Sequence, residues 1–288
     1  STRKPVPALA EDDAALEHHI GDLRERNLAK RLMIDADGVF HLAGRRASVG
    51  LQRKRGATML ADNTMICFNT IQAAMEAGVK RFCYTSTVTV YPPLEHYIED
   101  LAWSANPHPA AEFVAWSKRM AEKLLEASAI EYGADRSAVV RLVNTFGPHD
   151  DFNPETALVV PALIHRTLCG ENPLVVWGDG SAVRDFLFVD DAVSGILLAY
   201  EKGIGKGPIN IGSGVGYAIR EVVKVITNAT NCSPAIHWDT SKPSGEPRKV
   251  LDISKAKSVL GFEPTVSFEE AVERTVAWYR QYGAIVRV

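Results

Sequence analysis

Residues 80–91 read Lys-Arg-Phe-Cys-Tyr-Thr-Ser-Thr-Val-Thr-Val-Tyr. An apolar run that closes on Thr85, Ser86, Thr87 and Thr89 predicts a buried strand with hydroxyls at its C-terminal end. In open parallel sheets that end is where ligands bind. Hydroxyls there can hydrogen-bond a substrate carbonyl or alcohol, although Ser and Thr also simply terminate strands. Further on, residues 112–123 read Glu-Phe-Val-Ala-Trp-Ser-Lys-Arg-Met-Ala-Glu-Lys, the start of a helix expected to run to Tyr132 and to be capped by Gly133. Lys118 sits near its start and, taken alone, reads as a solvated helix lysine.

The pattern continues in both directions. Asn27 to Asp35 is polar and helix-like, and Gly38 to Gly44 is a compact apolar strand entering a tight loop. Gly56 to Ala77 has helical spacing, with Met59, Asn63, Ile66, Thr70, Ala73 and Ala74 on one face and Gly78 as C-terminal cap. Ala138 to Val143 is a third β-branched run. This alternation predicts βαβ units, hence an α/β fold with a parallel sheet covered on both faces. After Gly147-Pro148 prolines and glycines are denser and helices shorter. Two parts are expected: a cofactor domain over 1–148 and a smaller substrate lobe over 149–288 that shares elements with the sheet. Helices are expected to close the chain at Ser254 to Leu260 and Ser267 to Tyr282.

The 288 residues carry 32 Lys+Arg against 35 Asp+Glu, with 46% hydrophobic and 23% charged residues. That apolar content excludes a disordered chain, and the near-neutral balance gives no electrostatic case for nucleic acid or an anionic membrane. No run approaches the length of a membrane span. Cys67, Cys83, Cys169 and Cys232 are scattered, which argues against a metal site or a disulfide framework and makes a reducing cytoplasm the expectation. Arg45, Arg46, Arg53, Lys54 and Arg55 could attract an anionic ligand or form a solvated face.

Several segments, in order, resemble the extended short-chain dehydrogenase/reductase family, the NAD-dependent epimerase/dehydratase group. They are Asp22-Leu23, His41-Leu-Ala-Gly44, Asn63, Thr87 with Tyr91, Ser117-Lys118 with Ala121-Glu122, and Arg141-Leu-Val-Asn-Thr-Phe-Gly-Pro148. Trp177 to Phe186 with Val189-Asp-Asp191, and Pro243-Ser-Gly-Glu-Pro-Arg248, complete the set. Asp151-Phe-Asn-Pro154 and Pro161-Ala-Leu-Ile164 look nearest to GDP-fucose synthase-like relatives.

The resemblance implies a Rossmann-type doubly wound parallel sheet, NAD or NADP as cofactor, and epimerase, reductase or dehydratase chemistry on a nucleotide-activated sugar. It also implies a homodimer built on the helices over 56–77 and 112–132. Asp22 and Leu23 would contact adenine, Ala43 would lie under the cofactor, and Asn63 would brace the active-site strand. Thr87 would polarise the reacting oxygen, and Lys118 would hold the nicotinamide ribose. Asn144, Arg184 and Arg248 would bind the substrate phosphates, where a planar guanidinium suits phosphate oxygens; surface ion pairs are the alternative for the two arginines.

The sequence departs from the family at three places. The acid/base Tyr expected four residues before Lys118 is Val114, and none of the 8 tyrosines stands four before a lysine. Thr87 with a water, or Tyr91, would be the substitutes. Leu158 stands where fucose synthase-like relatives carry a His. The glycine-rich turn that carries pyrophosphate is not found; Gly203–Gly207 and Gly212–Gly216 do not fit it and read as loop glycines. Residues 1–3 resemble the loop after the family's second strand, so an opening strand–helix–strand of about 30–40 residues is expected to be missing. The alternative to an enzyme is an impaired homologue that binds a nucleotide sugar without turnover.

Overall fold

The computed structural model describes residues 16–46, 50, 54–153, 155–242 and 245–283. The expectation about residues 1–3 and the opening unit lies outside them, as do Arg53, Pro154, Pro243 and Ser244.

A first sheet has the order β1 (Gly38–His41), β2 (Arg81–Thr87), β3 (Ser137–Leu142), β7 (Pro208–Ile211), all parallel. Helices α1 (Arg26–Leu32), α2 (Gly56–Glu76) and α3 (Glu112–Glu131) precede or connect its strands. Side chains alternate across β2. Phe82 and Tyr84 pack with Cys67, Ile71 and Leu125 from α2 and α3, whereas Cys83 packs with Ile196 and Ala199 of α5 (Val189–Lys202). Apolar residues on both faces are what a doubly wound sheet requires. Residues 16–21 form neither helix nor strand.

β4 (Asn144–Phe146) continues directly from β3 and starts a second sheet, ordered β10 (Arg248–Lys249), β6 (Val183–Phe188), β4. β8 (Gly216–Ala218) pairs antiparallel with β6. β5 (Leu174–Trp177) pairs in parallel with β9 (Ile236–Asp239). This part has its own core, in which Phe146, Phe186, Phe188 and Phe268 meet beneath α4 (Val159–Leu168), α6 (Ile219–Thr230) and α7 (Phe268–Tyr282). Ser267 caps α7 by accepting from the Glu270 N–H at 3.2 Å. The expected helix at Ser254 to Leu260 is a π-helical turn over its last part, Ala256–Leu260, ended by Gly261 with φ +70°.

Candidate active site

The hydroxyls at the end of β2 have separate fates. Thr85 Oγ1 donates to the His41 carbonyl at 3.0 Å, and Ser86 Oγ donates to Glu122 at 2.5 Å. Thr87 Oγ1 accepts from the Thr89 N–H at 3.3 Å and stays half-exposed. Of these three, Thr87 is the one that is not buried.

Lys118 reaches that strand from α3. Its Nζ donates to the Thr85 carbonyl at 2.8 Å and lies 4.9 Å from the centre of the Tyr84 ring. Burial lowers its pKa. One turn earlier, Val114 is half-buried and offers only its main-chain carbonyl, which accepts from Ser117 Oγ at 2.7 Å. Tyr91 does not replace the absent tyrosine. It is fully buried, donating its hydroxyl to Asn210 Oδ1 at 2.7 Å and accepting from Arg141 at 3.1 Å. Burial pushes it up to about 12.

The loop after β1 closes over this lysine. Asn63 Oδ1 accepts from the Arg45 N–H at 2.7 Å and its amide donates to the Arg45 carbonyl at 3.2 Å. Asn63 therefore braces this loop, not the active-site strand as expected from sequence. A Cβ on Gly44 would meet Asn63 Oδ1 at 3.3 Å and Lys118 Nζ at 3.7 Å. The bare backbone of Gly44 and the half-buried Ala43 let a flat ligand approach the lysine. These residues fit a nicotinamide dinucleotide.

The expected adenine contacts are tied to the same helix. Arg24 spans the carboxylates of Asp22, at 2.5 Å, and Asp62, at 2.9 Å; Arg45 pairs with Asp62 from the other side. The Arg24 guanidinium holds the Asp22 carboxyl well below the usual range. The Leu23 carbonyl accepts from Asn69 at 3.1 Å.

A second group lies on the β10–β6–β4 sheet. Asn144 donates to the Asp185 carbonyl at 3.0 Å. Arg184 and Lys249 are register partners on adjacent strands, and burial lowers the pKa of both cations. Arg248 is exposed beside them. Glu246 pairs with Lys249 at 2.6 Å and also accepts from the Tyr97 hydroxyl. Arg184, Lys249 and Arg248, with Glu246 paired to Lys249, make a cation-rich setting in which an anion is stabilised. Glu246 lies inside the Pro243–Arg248 segment, whereas Lys249 and Tyr97 carry no mark in the sequence beyond the adjacency of Lys249 to Arg248. Leu158, in the expected histidine position, is half-buried and apolar. His165 instead bonds through Nδ1 to the Tyr279 hydroxyl at 2.6 Å.

Comparison with known proteins bears on this arrangement. GDP-L-fucose synthase 1 of Arabidopsis thaliana is 34% identical over 229 residues, which cover 77% of this chain and 70% of the relative. A crystal structure of UDP-glucose 4-epimerase with UDP-glucose from Thermotoga maritima matches with a TM-score of 0.80 at 30% identity, over 91% of this chain and 84% of that one. A GDP-L-fucose synthetase from Naegleria fowleri bound to NADP matches with a TM-score of 0.83 at 26% identity, over 93% and 84%. A model of the NAD dependent epimerase/dehydratase family matches residues 2–212. With the strand-end hydroxyls and the helix lysine inside the matched span, the chain belongs to the NAD dependent epimerase/dehydratase family.

Proposed function

We propose that this chain is an NAD(P)-dependent enzyme that epimerises, reduces or dehydrates a nucleoside diphosphate sugar, with a GDP-sugar as the favoured class. The carrying observation is the presence of two chemistries, one at the C-terminal end of β2 and one where β10 pairs with the start of β6. Lys118, anchored on the β2 end that carries Thr87, sits beside the bare Gly44 loop, and Arg184, Lys249 and Arg248 supply positive charge. The first suits a nicotinamide ribose and a reacting hydroxyl, the second a diphosphate. The likeness to GDP-L-fucose synthase supports guanosine as the base, and the NADP-bound fucose synthetase supports a nicotinamide dinucleotide. Binding without turnover, the alternative raised by Val114, finds no support among relatives named for the reactions they catalyse.

The working form is a homodimer joined through α2 and α3, where Met65, Phe113, Met120 and Ile130 are exposed. Four scattered cysteines suit a reducing cytoplasm. The test is a panel of GDP-, UDP- and dTDP-sugars offered with NAD, NADP and their reduced forms. Nicotinamide absorbance and proton NMR of the sugar are the readouts. The expected result is turnover of at least one sugar, highest with a GDP-sugar. Binding of these ligands with no chemical change in any of them overturns the proposal.

A further inference from the structure

The acid/base position on α3 is apolar, yet hydride chemistry at a sugar carbon needs a group that exchanges the hydroxyl proton. The geometry points to the Lys118 amine itself as the group that takes and returns this proton, a role that rests on the function proposed above. In that step the sugar O–H bond breaks and its proton passes to the neutral Nζ. The electron pair of the neighbouring C–H bond leaves as hydride to an oxidised nicotinamide ring, and the carbon–oxygen double bond forms. In the reverse sense the ammonium returns the proton while hydride comes back from the reduced ring.

Four observations carry the assignment. First, Val114 puts an aliphatic side chain one turn before the amine, so the helix offers no intervening hydroxyl there. Second, the one hydrogen bond Lys118 makes among the described residues is to the Thr85 carbonyl. A neutral amine can still donate that bond, which leaves its lone pair available. Third, among the described residues no carboxylate lies within ion-pair distance of Nζ. Glu122, one turn later on α3, is committed to Arg141 and Ser86.

Fourth, the surroundings favour the uncharged form. Tyr84 of β2 presents its ring face, His41 of β1 is buried beside the site, and Cys67 packs from α2. Asn63 is bonded to the Arg45 backbone, and Gly44 closes the site from the β1 loop. Burial pushes the amine down, while Cys67 and Glu122 pull it part of the way back. Thr87, two residues beyond the carbonyl that anchors Nζ, then holds the reacting oxygen.

The test has a readout independent of turnover. Trace acetylation of the whole protein across a pH series, followed by mass spectrometry of the peptide containing Lys118, gives the titration midpoint of this amine. We expect a midpoint below that of the surface lysines and coincident with the acidic limb of kcat. Lys118→Arg keeps a cation but cannot titrate in this range. It should lose about 100-fold or more in kcat, the scale of general acid–base catalysis, while keeping affinity for the nucleotide sugar. Turnover together with an ordinary midpoint, or with Lys118 unreactive where surface lysines react, overturns the role of the amine and leaves the proposed function standing. So does Lys118→Arg retaining kcat. A lowered midpoint with no turnover on any sugar overturns the proposed function and leaves the amine no proton to move.

Discussion

Arg141 on β3 lays its guanidinium along the carboxylate of Glu122 on α3, Nη2 donating to Oε2 at 2.8 Å and Nε to Oε1 at 3.1 Å. Both side chains are almost fully buried, at 2% and 5% exposure. The pair joins the helix that carries Lys118 to the strand that leads into the second sheet. Arg141 also donates to the Glu99 carbonyl at 2.8 Å and to Tyr91, and Tyr91 passes the link to Asn210. Removing one partner leaves an uncompensated buried charge. Arg141→Met is therefore expected to cost about 3–5 kcal/mol in urea unfolding. The double variant Arg141→Met with Glu122→Leu should recover part of that loss. Equal losses in the single and double variants would mean that the pair is not coupled.

His41 sets the acid side of stability. Its ring lies 5.6 Å from Tyr84, Nε2 has no partner among the described residues, and burial holds it down at about 3, with the charge on Lys118 contributing. An unfolded histidine titrates near 6.5. Between those two values the unfolded chain binds the extra proton. Stability is thus fully present above about pH 6.5 and falls as pH drops from there toward 3, by about 1.4 kcal/mol per unit at most. In His41→Leu the histidine part of that slope should vanish. Unfolding measured at pH 7 and pH 5 checks this: the loss between them should be smaller in the variant than in the wild type.

The helix and strand pattern up to Leu142 was legible because each element there carries a simple apolar period. The Gly56–Glu76 helix and the Arg81–Thr87 strand stop within one residue of where the spacing put them. Which hydroxyl of the strand end stays available was not legible. Thr85, Ser86 and Thr87 look alike in sequence, and only their neighbours across the sheet commit the first two. Hydrogen bonds between distant residues are hidden for the same reason. Glu246 and Tyr97 are 149 positions apart, and no periodicity links them. Asn63 was found by resemblance, but its brace runs to Arg45 because that loop turns back over α2.

Arg184 is the cation expected to act on ground-state binding. It is partly buried beside Lys249, on a different sheet from the strand that anchors Lys118. Arg184→Gln should raise KM for the nucleotide sugar by about 10-fold or more and change kcat little, since a diphosphate grip is the same in substrate and transition state. Steady-state kinetics at low and high salt give the check. A fall in kcat with KM unchanged would place Arg184 in the chemical step instead.

The exposed apolar residues of α2 and α3 make the dimer testable. Met65 and Met120 are 41% and 45% exposed, and Phe113 flanks them at 43%. Two like charges brought to a self-complementary face repel across it. Met65→Glu with Met120→Glu should convert dimers to monomers in light scattering while leaving the circular dichroism spectrum intact. A wild-type protein that is already monomeric at micromolar concentration would remove the proposed interface.

Asp185 ties the cationic edge together. It is fully buried, and its carboxylate accepts from the Ser213 N–H at 3.0 Å and the Ser213 hydroxyl at 2.5 Å. It also accepts from the Gly214 N–H at 3.2 Å and the Leu251 N–H at 3.3 Å. A Cβ on Gly212 would come within 2.7 Å of the same carboxylate, which gives one of the loop glycines its reason. Both oxygens act only as acceptors, so an amide in their place must turn its NH2 toward a donor. Asp185→Asn is therefore expected to cost about 2–3 kcal/mol by thermal or urea unfolding. Leu251 lies two residues after Lys249 on the stretch that also carries Arg248, so the same variant should weaken nucleotide-sugar binding. Isothermal titration with a GDP-sugar separates the two effects. A stability loss with unchanged affinity would show that the edge keeps its cations in place without this anchor.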